Sequence, residues 1–210
     1  MAHAAAREAV VVACRRLVDE GLVVGTAGNV SVRSGDHVAI SPSGVDYAVL
    51  AAADVPVVAH DATVVVEAGR PSTELALHLA AYRGESVEAV VHTHSRSAVA
   101  IGLVADVLPA VHYCLADLGG PVPVVPFAPP GSAELAGLVT DALSGRAAVL
   151  LRNHGALTTG PSLGRALDRA VVLEWVADVH QRALAAGTPA VLSGVQLDDV
   201  AARLAGYFGP

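Results

Sequence analysis

No lysine occurs among the 210 residues; all 13 basic side chains are arginine. That absence removes an iminium-forming amine, a pyridoxal-phosphate anchor and a P-loop lysine together. Carbanion chemistry on this chain would need another electron sink, and a metal ion is the obvious one. Aromatic residues are scarce, at 3%, so a core must be built from Val, Leu and Ala. Cysteine is limited to Cys14 and Cys114, too few and too isolated for a disulfide framework. Basic charge is in the minority, 13 residues against 20 acidic ones for a net charge of −7. No patch is left to neutralise a run of phosphates, which argues against nucleic acid as a partner. Apolar runs are short and broken by charge, Gly or Pro, so no membrane span is expected. The first residues lack a basic stretch followed by an apolar core; no signal peptide is read there, and a cytoplasmic location is the expectation.

What the chain does have is apolar bulk. At 53% apolar residues it can bury a full core, and one domain over residues 1–210 is the natural count. An apolar stripe through Ala6, Val10, Ala13, Leu17 and Val18 predicts a helix over 3–20, stopped at Gly21. Alternation predicts a strand over 30–33, a turn at Ser34, Gly35 and Asp36, and a return strand over 37–40. Helices are expected over 73–83, 95–103, 132–143, 162–186 and 197–204. Further strands are expected over 109–113, 122–125, 147–151 and 155–160. The five prolines between 121 and 130 argue for an edge or irregular segment there. Strand hairpins mixed with helices fit a three-layer α/β domain.

The most informative stretch is Val90-Val91-His92-Thr93-His94-Ser95. It reads as the end of a buried strand led in by Val87, Ala89, Val90 and Val91. In an extended chain His92 and His94 project from one face, about 6–7 Å apart at their Cα atoms. Two imidazoles so placed can share one tetrahedral ion, and His154 follows a second buried strand. A lone histidine there would read as a hydrogen-bonded strand-end residue; the set of three reads as a metal site, with zinc the expected ion. Three small-residue loops accompany it: Gly25-Thr26-Ala27-Gly28-Asn29, Ser41-Pro42-Ser43-Gly44 and Pro71-Ser72-Thr73. Each alone is an ordinary turn. Together they offer hydroxyls and close backbone N–H groups, the means of holding an anion without basic side chains. Glu74, by itself, reads as a carboxylate in the first turn of a helix.

These motifs, with Asn153-His154-Gly155-Ala156-Leu157, resemble the class II aldolase/adducin family over about residues 7 to 185. The resemblance implies an α/β three-layer sandwich with a central mixed, mostly antiparallel sheet flanked by helices. It also implies one Zn²⁺ per subunit, or another divalent ion, on His92, His94 and His154, with Glu74 as the acid/base resting on the metal when no substrate is bound. Thr26, Gly28, Asn29, Ser43, Gly44, Ser72 and Thr73 would cradle a substrate phosphate. Tyr113 would reach into a neighbouring subunit's site within a homotetramer. Ser41 and Glu74 stand where the family's epimerase branch typically has Lys and Asp, and so favour aldol cleavage of a ketose 1-phosphate through a metal-stabilised enediolate. Pro129-Pro130 departs from the pattern, standing where an aromatic would meet the aldehyde. Tyr207 could match a tail tyrosine of the family. The alternatives are a sugar-phosphate epimerase, dehydratase or decarboxylase on the same scaffold, or a non-catalytic assembly module like the adducin head.

Overall fold

The computed structural model describes residues 3–84 and 86–204. The apolar stripe near the N-terminus forms α1 (Ala4–Asp19), burying Val10, Val11, Ala13, Cys14 and Leu17. Gly21 then takes a φ of 66°, the left-handed conformation that ends helices. The expected hairpin joins β1 (Asn29–Ser34) to β2 (His37–Ile40), with Ser34 opposite His37. Two short strands, β3 (Val57–Ala59) and β4 (Val64–Val66), extend the sheet from β2. There follow α2 (Leu75–Ala81), β5 (Ala89–Thr93), α3 (Arg96–Val104) and β6 (Val107–Leu108). The chain continues through β7 (Val122–Val125), α4 (Ala133–Ala142), β8 (Ala148–Leu151) and β9 (Gly155–Gly160). It closes with α5 (Leu163–Ala186) and α6 (Gly194–Leu204). Tyr207 lies outside the described residues.

The described strands form one sheet in the order β4-β3-β2-β1-β5-β9-β8-β7-β6. Every neighbouring pair is antiparallel except β7 with β8. Successive residues of a strand face opposite sides, and β5 shows it directly. Val91 packs among α1 and the start of α5, while Val90 packs among α2 and α4. Both are 0% exposed, each burial contributing about 1.5–3 kcal/mol. A third cluster joins α3 and the middle of α5 to Ala148 and Leu150 of β8. Helices thus cover both faces of the sheet, giving the three layers expected. Among the described residues no helix is long and apolar enough to cross a membrane.

The structure corrects one strand. Residues 109–113 do not extend; Val111 N–H donates to Pro109 O at 2.7 Å in a tight turn. Tyr113–Leu118 is a 3-10 helix, capped by the His112 ring, which accepts from Cys114 N–H. The proline-rich strand β7 lies one position from the sheet edge, its Pro123 opposite Val107 of the two-residue β6. Little ladder is sacrificed by a proline there.

Candidate metal centre

Three adjacent strands deliver the site. In the register of β1 with β5, Asn29 faces His92; in that of β5 with β9, His92 faces Leu157. The odd-numbered face of β1 and the His92 face of β5 look toward α2, which brings Glu74. Close approach is secured by two glycines. A Cβ on Gly155 would stand 2.1 Å from Thr93 O and 3.2 Å from the His92 ring. One on Gly28, whose φ is +81°, would stand 2.9 Å from His92 O. Asn153 takes a left-handed φ of 55°, reversing the chain after β8 so that His154 turns back over the sheet end. Glu174 of α5 accepts from Ser97 and Ala98 N–H at 2.8 and 2.9 Å, tying down the first turn of α3 just beyond His94.

The imidazoles of His92, His94 and His154 meet edge to face, with centroids 4.8–4.9 Å apart. Their ligand atoms and a Glu74 oxygen all lie within 4.8 Å of one another. His92 Nε2 is 2.9 Å from His94 Nε2 and 3.0 Å from Glu74 Oε2, and His154 Nε2 is 3.1 Å from Glu74 Oε1. Chemistry sets the proton on His92. Its Nδ1 lies 2.9 Å from Ala156 O, a carbonyl that only accepts, so Nδ1 carries the hydrogen. A neutral His92 then turns a bare lone pair at Nε2 toward a carboxylate oxygen. Such a contact is repulsive unless a cation lies between, and Glu74 Oε1 itself has no hydrogen-bond donor aligned with it. Three imidazoles and a carboxylate around that gap are a donor set that could hold a metal ion, with the backbone bond fixing the His92 tautomer as outer partners of metal ligands do.

Without a cation in that gap, burial would raise the Glu74 carboxyl, and the group is held well below the usual carboxylate range only when the His154 and His92 rings turn N–H groups to it alongside Asn29, the place a bound cation would otherwise take. Burial, reinforced by the neighbouring His92 and His154, pushes His94 down to about 4, so its ring is neutral at pH 7, as a metal ligand must be.

Glu74 does not act as a helix cap. It occupies the N-cap position of α2 but makes no side-chain capping bond; its carboxylate turns to the imidazoles instead. The three small-residue loops converge beside it. Thr26, Gly28, Asn29, Ser43, Gly44, Ser72 and Thr73 line one cavity of about 370 Å³ together with Glu74, His94 and His154. The second and third loops are zipped together, Ser43 N–H donating to Arg70 O at 2.8 Å and Ser72 N–H to Ser41 O at 3.2 Å. The first is braced by Tyr47, whose hydroxyl donates to Gly28 O at 2.6 Å. No arginine lines this cavity, and Pro130 forms part of its wall.

Two residues are placed differently from the rest of the set. Asn29 turns its side-chain amide to Glu74 and to His78, which leaves its backbone and not its side chain for an anion. Tyr113 does not line the cavity; it is 49% exposed and lies against His112, which meets Trp175 edge-on. Sequence reasoning missed His78, fully buried beneath the site. Its partners are 47 and 49 residues away in the chain, and no local pattern marks it.

Comparison with known proteins gives a consistent set of matches. Residues 8–181 match the family model described as Class II Aldolase and Adducin N-terminal domain. The chain is 34% identical over 204 residues, 96% of each chain, to the 5-deoxy-D-ribulose 1-phosphate aldolase of Bacillus thuringiensis serovar kurstaki. It is 35% identical over 198 residues to the L-fuculose phosphate aldolase of Escherichia coli strain K12, covering 92% of this chain and 91% of that one. A solved structure of an L-fuculose 1-phosphate aldolase superposes with a TM-score of 0.92 at 32% identity, covering 95% of this chain and 96% of that one.

Proposed function

The chain belongs to the class II aldolase and adducin family, and on that premise we propose that it reversibly cleaves a ketose 1-phosphate to dihydroxyacetone phosphate and a small aldehyde. Zinc on His92, His94 and His154 is the proposed cofactor. One observation carries the reading: Glu74, His94 and His154, clustered with His92, line a cavity whose loops bear hydroxyls and no cationic side chain. The relatives named above act on phosphorylated ketoses, which supports that substrate class.

Aldol cleavage leaves a carbanion beside a carbonyl. With no lysine in the chain to form an iminium, a divalent ion held by the three histidines would supply the electron sink. The remaining work falls to the protein. Thr26, Ser43, Ser72 and Thr73, with the backbone N–H groups around Gly28 and Gly44, hold the phosphate and so fix where C3 lies. In the synthetic direction Glu74 takes the C3 proton. Its carboxylate, which accepts from Asn29, would become a stronger base once substrate takes its place beside the cation that the histidines would hold. Tyr113 of a second copy protonates the aldehyde oxygen, in a homotetramer whose sites lie between subunits. The half-exposed stack of Tyr113, His112 and Trp175 supports that placement, since aromatic side chains so exposed are frequent at protein interfaces.

Zinc analysis coupled to a cleavage assay with L-fuculose 1-phosphate and 5-deoxyribulose 1-phosphate tests the whole reading. A zinc-loaded protein that releases no dihydroxyacetone phosphate from any ketose 1-phosphate would reject it. The phosphate loops have their own test. Ser43→Asp places a negative charge beside the substrate phosphate, a repulsion of about 1–4 kcal/mol for unit charges 4 Å apart. KM should rise roughly ten-fold or more, with zinc retained; an unchanged KM would place the phosphate elsewhere. The shared site is tested by mixing. Glu74→Gln and Tyr113→Phe chains, each impaired alone, should recover activity when subunits exchange, because some sites then contain both native groups. No recovery under proven exchange would confine each site to one chain.

A further inference from the structure

Beneath Glu74 runs a buried polar chain that crosses the α2 side of the sheet. Asn29 Nδ2 donates to Glu74 Oε2 at 2.9 Å. Asn29 Oδ1 lies 2.5 Å from His78 Nε2, and His78 Nδ1 lies 2.7 Å from Ser31 Oγ. Ser31 Oγ in turn lies 2.8 Å from the Tyr82 hydroxyl, and the Arg33 guanidinium stands 5.0 Å above the Tyr82 ring. Ser31 and His78 are 0% exposed, Tyr82 and Asn29 only 5% and 6%.

Chemistry gives the chain one direction. A carboxylate only accepts, so the amide NH₂ of Asn29 must face Glu74. Its carbonyl oxygen then faces His78, and a carbonyl also only accepts, so His78 Nε2 carries the proton. Burial, helped by His92, pushes His78 down to about 3, so the ring is neutral and Nδ1 is a lone pair. Ser31 therefore donates to Nδ1 and accepts from Tyr82. Reversing any one bond would set two acceptors or two donors against each other in a water-free interior, which costs about 1–3 kcal/mol per unsatisfied group. The amide in the middle cannot relay a proton as a hydroxyl or imidazole does, so the chain orients and does not conduct.

We propose that His78 is a positioning residue for the reaction: as the Nε2–H tautomer it locks the Asn29 amide, and the locked amide aims the Glu74 carboxylate. This rests on the reading of Glu74 as the group that takes the C3 proton. Ser31 and Tyr82 hold the tautomer in place. Without the His78 donor, the Asn29 oxygen loses its anchor, and the amide can swing with its NH₂ still on Glu74 and carry the carboxylate off line.

The test compares His78→Phe, which removes both ring nitrogens, with His78→Gln, whose amide can still donate to Asn29 and accept from Ser31. Deuterium wash-in at C3 of dihydroxyacetone phosphate should slow in His78→Phe by roughly 10–100-fold, the scale found for outer partners of metal-site groups. Bound zinc and KM should change little, and His78→Gln should recover most of the rate. In an Asn29→Ala background His78→Phe should cost no further rate, because the two act through one bond. Independent losses in the double variant would overturn the proposal. So would a loss of zinc and thermal stability in His78→Phe that His78→Gln does not repair. A readout free of catalysis is the ¹⁵N spectrum of the wild-type side chain, expected to show neutral His78 protonated at Nε2; the Nδ1–H tautomer would refute the lock. A wild type that exchanges no C3 proton would reject the aldolase reading while leaving this spectral test standing.

Discussion

His94→Ala is expected to lose its bound metal and to slow aldol cleavage by about 10³-fold or more, the factor set by several kcal/mol of charge stabilisation. His94 is the ligand of choice for this experiment because it is half-buried, whereas His92 is 0% exposed. Removing His92 would open a hole in the sheet and confuse lost metal with lost fold. Zinc per chain by elemental analysis and thermal melting together separate the two. Wild-type protein stripped of metal that still turns over fully, or a His94→Ala chain that keeps both metal and rate, would dismiss the metal centre.

Glu74→Gln should keep zinc and still bind dihydroxyacetone phosphate, yet exchange its C3 proton with solvent about 10²–10⁴-fold more slowly, the range for losing a positioned base. Glutamine keeps the shape and can accept from Asn29, but it cannot take a proton at neutral pH. Deuterium wash-in without any aldehyde isolates this step from carbon–carbon bond formation. Exchange at the wild-type rate would show that another group is the base and that the carboxylate serves only the substrate-free resting state.

Most of the sheet and nearly all of the site lie open to sequence reasoning, because both follow from short-range rules. The alternation at residues 30–40 gives a hairpin without further information, and the His92/His94 pair needs only a strand's two-residue repeat. The strands Val57–Ala59 and Val64–Val66 escape the same reasoning because three residues are too few to display alternation. At 109–113 β-branched and aromatic residues suggest a strand, but Pro109 and the His112 cap bend the chain into a 3-10 helix. Glu74, expected in the first turn of a helix, stands at the N-cap of α2 and turns its carboxylate to His92 and His154 instead of capping a seven-residue helix. His78 and the side-chain engagement of Asn29 are invisible for a different reason. Their hydrogen bonds span 45 to 49 residues, and nothing local distinguishes a buried histidine that orients a neighbour from one that merely fills space.

The candidate ligands stand on β5 and just past it and just past β8, with Glu74 ahead of α2, and that placement has a consequence for the life of the chain in a cell. Long stretches of chain, with whole helices and strands in them, separate these segments, and bringing their ends together costs entropy that grows with the length between them. A metal ion gripping all of them would be a clasp across the fold, worth about 4 kcal/mol when free metal exceeds its dissociation constant a thousand-fold. During synthesis the clasp stays open until residue 154 has been made, so the earlier strands must pair without it. A cell starved of the metal would therefore lose this protein twice, first as a catalyst and then as a chain, because the unclasped state opens more often and proteases take what opens.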